Sequence, residues 1–515
     1  MKSTHLLRRV GLFALACTLV SCAPLPTEPH RPVVEVGNER LEGIASDDGI
    51  AAFLGIPYAA PPVGPLRWEP AVRPLPREGL QDAGRFAPAC PQSQGNPEWY
   101  RMVAEGFGSD PSVIPDLTDM DEDCLYLNVW TPAKDGRGSF PVMVWVHGGS
   151  NINGWAYEPN YLGWRLAAQG VVVVSINYRL GVLGFLPGPT DGAGENSSGN
   201  YGISDIIAAA QWIRENAEAF GGDPDNVTLF GESAGGANIA ALLASPRAEG
   251  LFQRAIVQSG ALGPGDMPAL AEARRAAAEM FAEAGIRADS ARDLPWSDLV
   301  DLHRKTGVDY YHGPVLDDVW VRSDRTMIAE IDVLAGSNLN EMLMYLDATD
   351  PGLLSDVLSD YPESRREAVL SIAKGIASSD LERADLISTA AQFHCPARGI
   401  ALDAAASGGR AFVYRFSRKR DGSEAYGAYH GAEIPYVFAT HDAWLPTNPI
   451  DEALGETMMA YWVNFARTGD PNGPGLPEWP EFESSGDLIA DLSDTVAASE
   501  DFMKPFCDSL EEEGQ

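Results

Sequence analysis

The sequence predicts an α/β protein with a central, mostly parallel sheet, on three observations. Short apolar, β-branched runs bounded by turn residues recur along the chain, and helical patterns of apolar residues lie between them. Of its 515 residues 45% are hydrophobic and 21% charged, which supplies a large core and excludes disorder for the chain as a whole. The formal net charge is -36, from 37 Lys plus Arg against 73 Asp plus Glu. That is the wrong sign for neutralising phosphates, so nucleic acid is not an expected partner.

The first segment reads as an address. Residues 1–21 carry Lys2, Arg8 and Arg9, then the apolar run Val10–Val20, and are expected to be a lipoprotein signal peptide. At 11 residues the run is well short of the roughly 18 needed to span a bilayer. The ending Leu19-Val20-Ser21-Cys22 resembles a bacterial lipobox, which implies cleavage before Cys22 and lipidation of its sulfur. The alternative is ordinary secretory cleavage and release. Residues 22–32, rich in Pro, read as a tether. Losing the leader removes three positive charges and no acid, so the mature body should stand off an anionic membrane and touch lipid only through its anchor. From 33 to 515 no long linker or repeat divides the chain, and one domain with long insertions is expected.

Within that domain the runs Pro141–Val146, Val171–Ile176, Asn226–Phe230, Ala255–Gln258 and Asp332–Ala335 read as strands buried on both faces. Ile206, Ile207, Ala210, Ile213, Ala217 and Phe220 form one helical stripe. After the third strand comes Gly231-Glu232-Ser233-Ala234-Gly235, followed by the helix-forming run Ala237–Leu243. A serine on so sharp a strand-to-helix turn needs small residues two positions before and after it. A serine of ordinary pKa is a poor nucleophile and requires a histidine backed by a carboxylate.

Eight histidines are available. His5 and His30 fall in the leader and tether, and His147 precedes the serine, against the order Ser, acid, His. His303, His312, His394 and His441 read as surface or satisfied core residues. His430, in the loop Gly427-Ala428-Tyr429-His430-Gly431-Ala432-Glu433, has the right order and glycines that allow close approach. Glu341, after the run that begins at Asp332, is the chosen acid. Asp317 and Asp318 compete with it but read more as turn residues.

Several long motifs in order resemble the type-B carboxylesterases, the α/β-hydrolase family that includes the cholinesterases. They are Phe53-Leu54-Gly55-Ile56-Pro57-Tyr58-Ala59, Glu122-Asp123-Cys124-Leu125-Tyr126-Leu127-Asn128-Val129-Trp130, and Phe220-Gly221-Gly222-Asp223-Pro224 leading into the Ser233 pentapeptide. The similarity runs from about Phe53 to Cys507. It implies an α/β-hydrolase fold whose long insertions shape a gorge, with Ser233 as nucleophile, Glu341 as orienting acid and His430 as general base. It also implies an oxyanion hole of the N–H groups of Gly149, Ser150 and Ala234. Disulfides Cys90–Cys124 and Cys395–Cys507 are implied too, which agree with export to an oxidising cell-envelope or external compartment.

Three departures bear on the site. Ser150 stands where the family commonly has Gly or Ala, Asn151 puts polarity beside the expected acyl pocket, and Met342 follows Glu341 where glycine is usual. Trp99, the one Trp between Cys90 and Cys124, is not near the family's choline-binding position and reads as a lone exposed aromatic. The expected activity is ester hydrolysis through an acyl-enzyme, on a small-molecule ester, with no metal and no cofactor. The rivals are a specialised lipid, polymer or toxin esterase, and a non-catalytic binding protein of the same fold. Oligomeric state is not legible.

Overall fold

Eleven strands form one sheet with a parallel centre and antiparallel ends. The computed structural model describes residues 31–510 except 134–135, 189–197, 261, 263–265, 309, 329, 423–424 and 484–487. The expected leader, Cys22 and the tether up to residue 30 lie outside the described residues. In chain order the strands are β1 Ile44–Ala45, β2 Ala51–Pro57, β3 Tyr126–Thr131, β4 Phe140–Val146, β5 Val172–Ile176 and β6 Gly222–Glu232. There follow β7 Arg254–Gln258, β8 Asp332–Asn338, β9 Ala411–Phe416, β10 Leu488–Leu492 and β11 Ala497–Glu500. Across the sheet the order is β11-β10-β9-β8-β7-β6-β4-β5-β3-β2-β1. Pairs from β10 to β5 are parallel, and those outside them antiparallel.

The central parallel strands are largely apolar because both faces are covered. All five residues of β5 are buried. In β4, Val142, Val144 and Val146 join one core while Met143 and Trp145 join another, the period-2 alternation dividing one strand between two packed layers. The helices that matter for the site are α1 Gly95–Gly106, α2 Tyr201–Asn216, α3 Ala234–Leu243, α4 Asp380–Thr389 and α5 Cys395–Ala406.

The five expected strands are β4 to β8, but β6 and β8 run further, to Glu232 and Asn338. These extensions carry the chain up to the site. Disulfides join Cys90 to Cys124 and Cys395 to Cys507. They are bonds of a protein that folds outside the reducing cytoplasm. Among the described residues no helix is long and apolar enough to cross a membrane.

Candidate active site

Ser233 occupies the single residue between β6 and α3, with φ 54° and ψ -127°, a conformation that costs a non-glycine residue on the order of 1–3 kcal/mol. Its neighbours explain how the turn holds. A Cβ on Gly231 would lie 2.5 Å from the Val146 carbonyl oxygen, and one on Gly235 would lie 2.0 Å from it. Only glycine lets α3 start so close to the end of β4. Ala234 opens that helix, so its N–H has no acceptor within the helix.

Three remote stretches converge here. His430 Nε2 lies 2.8 Å from Ser233 Oγ, and His430 Nδ1 lies 2.7 Å from Glu341 Oε2. Glu341 is fully buried, and its other oxygen accepts the Asn338 N–H at 2.6 Å. The competing acids are spent elsewhere. Asp317 Oδ1 accepts from the N–H groups of Val319, Trp320 and Val321, and Asp318 accepts from Ser323, which makes both turn residues.

The loop after β4 lies against the serine. A Cβ on Gly148 would be 3.1 Å from Ser233 Cβ and 2.8 Å from the Glu232 carbonyl oxygen. Gly149, Ser150 and Asn151 follow with φ of 104°, 55° and 57°, so three successive residues take left-handed values. Ser150 thus adopts, at a cost, the conformation that glycine adopts freely. The N–H groups of Gly149 and Ser150 donate to no acceptor among the described residues.

The carboxylates around His430 carry the site's electrostatics, and two of them have no role in the sequence reading. Glu232 Oε1 is 3.2 Å from His430 Nε2 yet makes no hydrogen bond. Burial, with further pressure from Glu433 and Glu341, pushes its carboxyl up to about 8. Glu433 is fully buried, accepting from Gln258 Nε2 at 3.0 Å and from Asn338 Nδ2 at 2.7 Å, and burial raises it too. Burial pulls His430 down, but Glu232 and Glu341 outweigh this and hold the imidazole up at about 9. Both acids were in view, directly before Ser233 and three residues after His430. No periodicity told that they turn inward.

Several expectations are corrected. Trp99 is not a lone exposed aromatic: it is half-buried on α1, in edge contact with Tyr100, tilted against Tyr429 and donating to Tyr345 Oη at 2.8 Å. Asn151 does not offer its amide to a pocket. Its side chain is buried and accepts from Asn238 Nδ2 at 2.8 Å and Tyr178 Oη at 3.3 Å. Met342 needs no glycine, since its φ is -102°. His394 and His441 have partners in Asp501 and Arg420. His303 and His312 instead pack on each other, ring centroids 4.8 Å apart, with buried nitrogens that no described group satisfies. Among the described residues no His, Cys, Asp and Glu cluster could hold a metal ion.

Comparison with known proteins agrees with this geometry. A model of the carboxylesterase family matches residues 30–508. A fumonisin B1 esterase of Sphingopyxis macrogoltabida is 33% identical over 93% of this chain and 89% of its own. Human carboxylesterase 3 is 33% identical over 92% and 90%. A solved PNB esterase superposes with a TM-score of 0.80 at 30% identity, covering 94% of this chain and 100% of its own. The fold, the family match along nearly the whole chain and relatives that are esterases lead to one conclusion: the chain belongs to the carboxylesterase family of α/β-hydrolases and is a serine-type carboxylic ester hydrolase.

Proposed function

We propose that the enzyme cleaves esters in two steps through an acyl-enzyme on Ser233. The observation that carries this is the line from Ser233 through His430 to Glu341, with contacts of 2.8 and 2.7 Å. His430 Nε2 takes the proton as Ser233 Oγ attacks the carbonyl carbon. The developing oxyanion is held by the N–H groups of Gly149, Ser150 and Ala234, each such donor being worth on the order of a hundredfold to a thousandfold in rate. His430 then protonates the leaving alcohol, and water releases the acid by the same route in reverse. Glu341 accepts from Nδ1 throughout, fixing the tautomer and stabilising the imidazolium without taking its proton.

For His430 to accept, Nε2 must be free. Glu232 at 3.2 Å from Nε2 opposes this, since its carboxylate stabilises the imidazolium, and the neutral ring that accepts a proton is the form reached as pH rises. With both groups raised, they titrate as a pair.

Ser233→Ala is expected to fold and to lose hydrolysis of a short p-nitrophenyl ester. Turnover retained in that variant refutes the assignment. In the wild-type enzyme a p-nitrophenyl phosphonate should leave one adduct, on Ser233, by mass spectrometry. Upstream, residues 1–21 act as leader, Cys22 carries lipid and 22–32 spaces the single domain of 33–515 from the membrane. Cys22→Ala should release the protein from the membrane fraction, and unchanged fractionation overturns the anchor.

A further inference from the structure

Between α4 and α5 the chain forms a single π-helical turn, Ala390–His394. Such turns are rare and occur mostly as one-turn bulges, often at functional places. This one is fastened from three directions. His394 is fully buried, its Nε2 3.0 Å from both carboxylate oxygens of Asp501 and its Nδ1 3.2 Å from Ser337 Oγ. Arg398 Nη1 donates to Asp501 at 2.6 Å. The next residue, Cys395, is bonded to Cys507. Asp501 can only accept, so Nε2 carries a proton. Although the set is Ser, His and Asp, both Ser337 and His394 are fully buried, and no substrate reaches it.

What the fastening touches is the site. Ser337 lies on β8 immediately before Asn338, whose N–H binds Glu341. On the other side of His394, Phe393 is half-buried with its ring centroid 5.2 Å from that of His430, at 52°. One hydrogen bond at Nδ1 leaves an imidazole free to swing about it, and Glu232 offers Nε2 a competing partner at 3.2 Å. A ring packed against the imidazole limits that swing.

We propose that the π turn is a positioning device for the general base: His394, held by Asp501 and Ser337, sets Phe393 against His430, and Phe393 is a positioning residue that keeps Nε2 aimed at Ser233 Oγ. The proposal rests on the assignment of His430 and Ser233 above.

The test uses the full chain with its disulfides intact, active sites counted with a p-nitrophenyl phosphonate, and kcat and KM measured on p-nitrophenyl esters of increasing acyl length. Phe393→Ala should lower kcat per titrated site about tenfold for every ester, the size of a partial loss of orientation, with KM changed by less than about twofold. Phe393→Leu, which keeps an apolar packing surface, should restore most of the rate. His394→Gln should match Phe393→Ala, and the double variant should be no slower than Phe393→Ala alone, since both act through one contact. If His394→Gln does not fold, Ser337→Ala, which removes only the contact at Nδ1, replaces it. Unchanged kcat, a loss confined to long acyl chains or to KM, or additive effects in the double variant would each overturn the positioning role. A wild-type enzyme without phosphonate on Ser233 would overturn the underlying assignment as well, and is read before any variant is compared.

Discussion

Glu232 governs the protonation state in which His430 meets an ester. A carboxylate 3.2 Å from Nε2 stabilises the imidazolium, and turnover requires the neutral ring, so the rate should fall as pH drops through the raised value of about 9 for His430, coupled to about 8 for Glu232. Replacing Glu232 by Gln removes the anion and lowers the His430 pKa. The acid limb of kcat/KM should then move down, by about one unit or more, toward the ordinary histidine range, leaving the variant relatively more active at low pH. A pH–rate profile whose acid limb does not move would rule out the coupling. At this scale the sequence displayed the residues that motif and order single out, Ser233, His430 and Glu341, which lie in one hydrogen-bonded line, but not their environment. That Asn151 turns to Asn238, that Trp99 reaches Tyr345 and that Glu232 faces Nε2 are products of tertiary packing.

The decisive element is the junction of β4, β6 and α3, where backbone meets backbone with no room for a Cβ. Gly235→Ala would set a methyl 2.0 Å from the Val146 oxygen and 2.7 Å from that of His147, so either α3 or the loop from Gly148 must move. The expected result is a kcat loss of about a hundredfold or more, with a lowered Tm. Gly399 lies inside α5, where a Cβ would meet nothing within 4 Å. Gly399→Ala should therefore stabilise by about 0.5–1 kcal/mol with unchanged kcat, and thermal melts of the two variants check the contrast. The same junction shows what a sequence displays at this scale. Strands β4 to β8 are legible because two covered faces make them uninterrupted apolar runs. β9, Ala411–Phe416, does not stand out although every residue in it is buried, because Tyr414 and Arg415 break the apolar run. β1, at two residues, gives too little pattern to separate from a turn, and the π turn at Ala390–His394 reads as ordinary helix, its His394 being held by Ser337 and Asp501 from distant parts of the chain.

For the molecule as a whole, charge sets which esters arrive. The chain carries a net charge of -36, the carboxylates of Glu232 and Glu341 lie 3.2 and 2.7 Å from the ring nitrogens of His430, and Glu232, Glu341 and Glu433 all hold the His430 pKa up. The net field of the chain and the carboxylates beside His430 therefore have the same sign, and an anionic ester is opposed by both. Steering by a field of this kind changes encounter rates by about tenfold or more and is screened beyond roughly 10 Å at 0.1 M salt. A hemisuccinate ester should accordingly show a lower kcat/KM than a neutral ester of equal length. The gap should narrow as NaCl rises from about 0.02 to 0.5 M, because salt weakens the long-range part. A residue should persist at high salt, since buried carboxylates are screened far less than exposed ones. The measurement is the ratio of the two kcat/KM values across the salt series: a ratio that stays flat would show that the surface charge has no part in substrate choice, and one that reaches unity would remove the buried carboxylates from it.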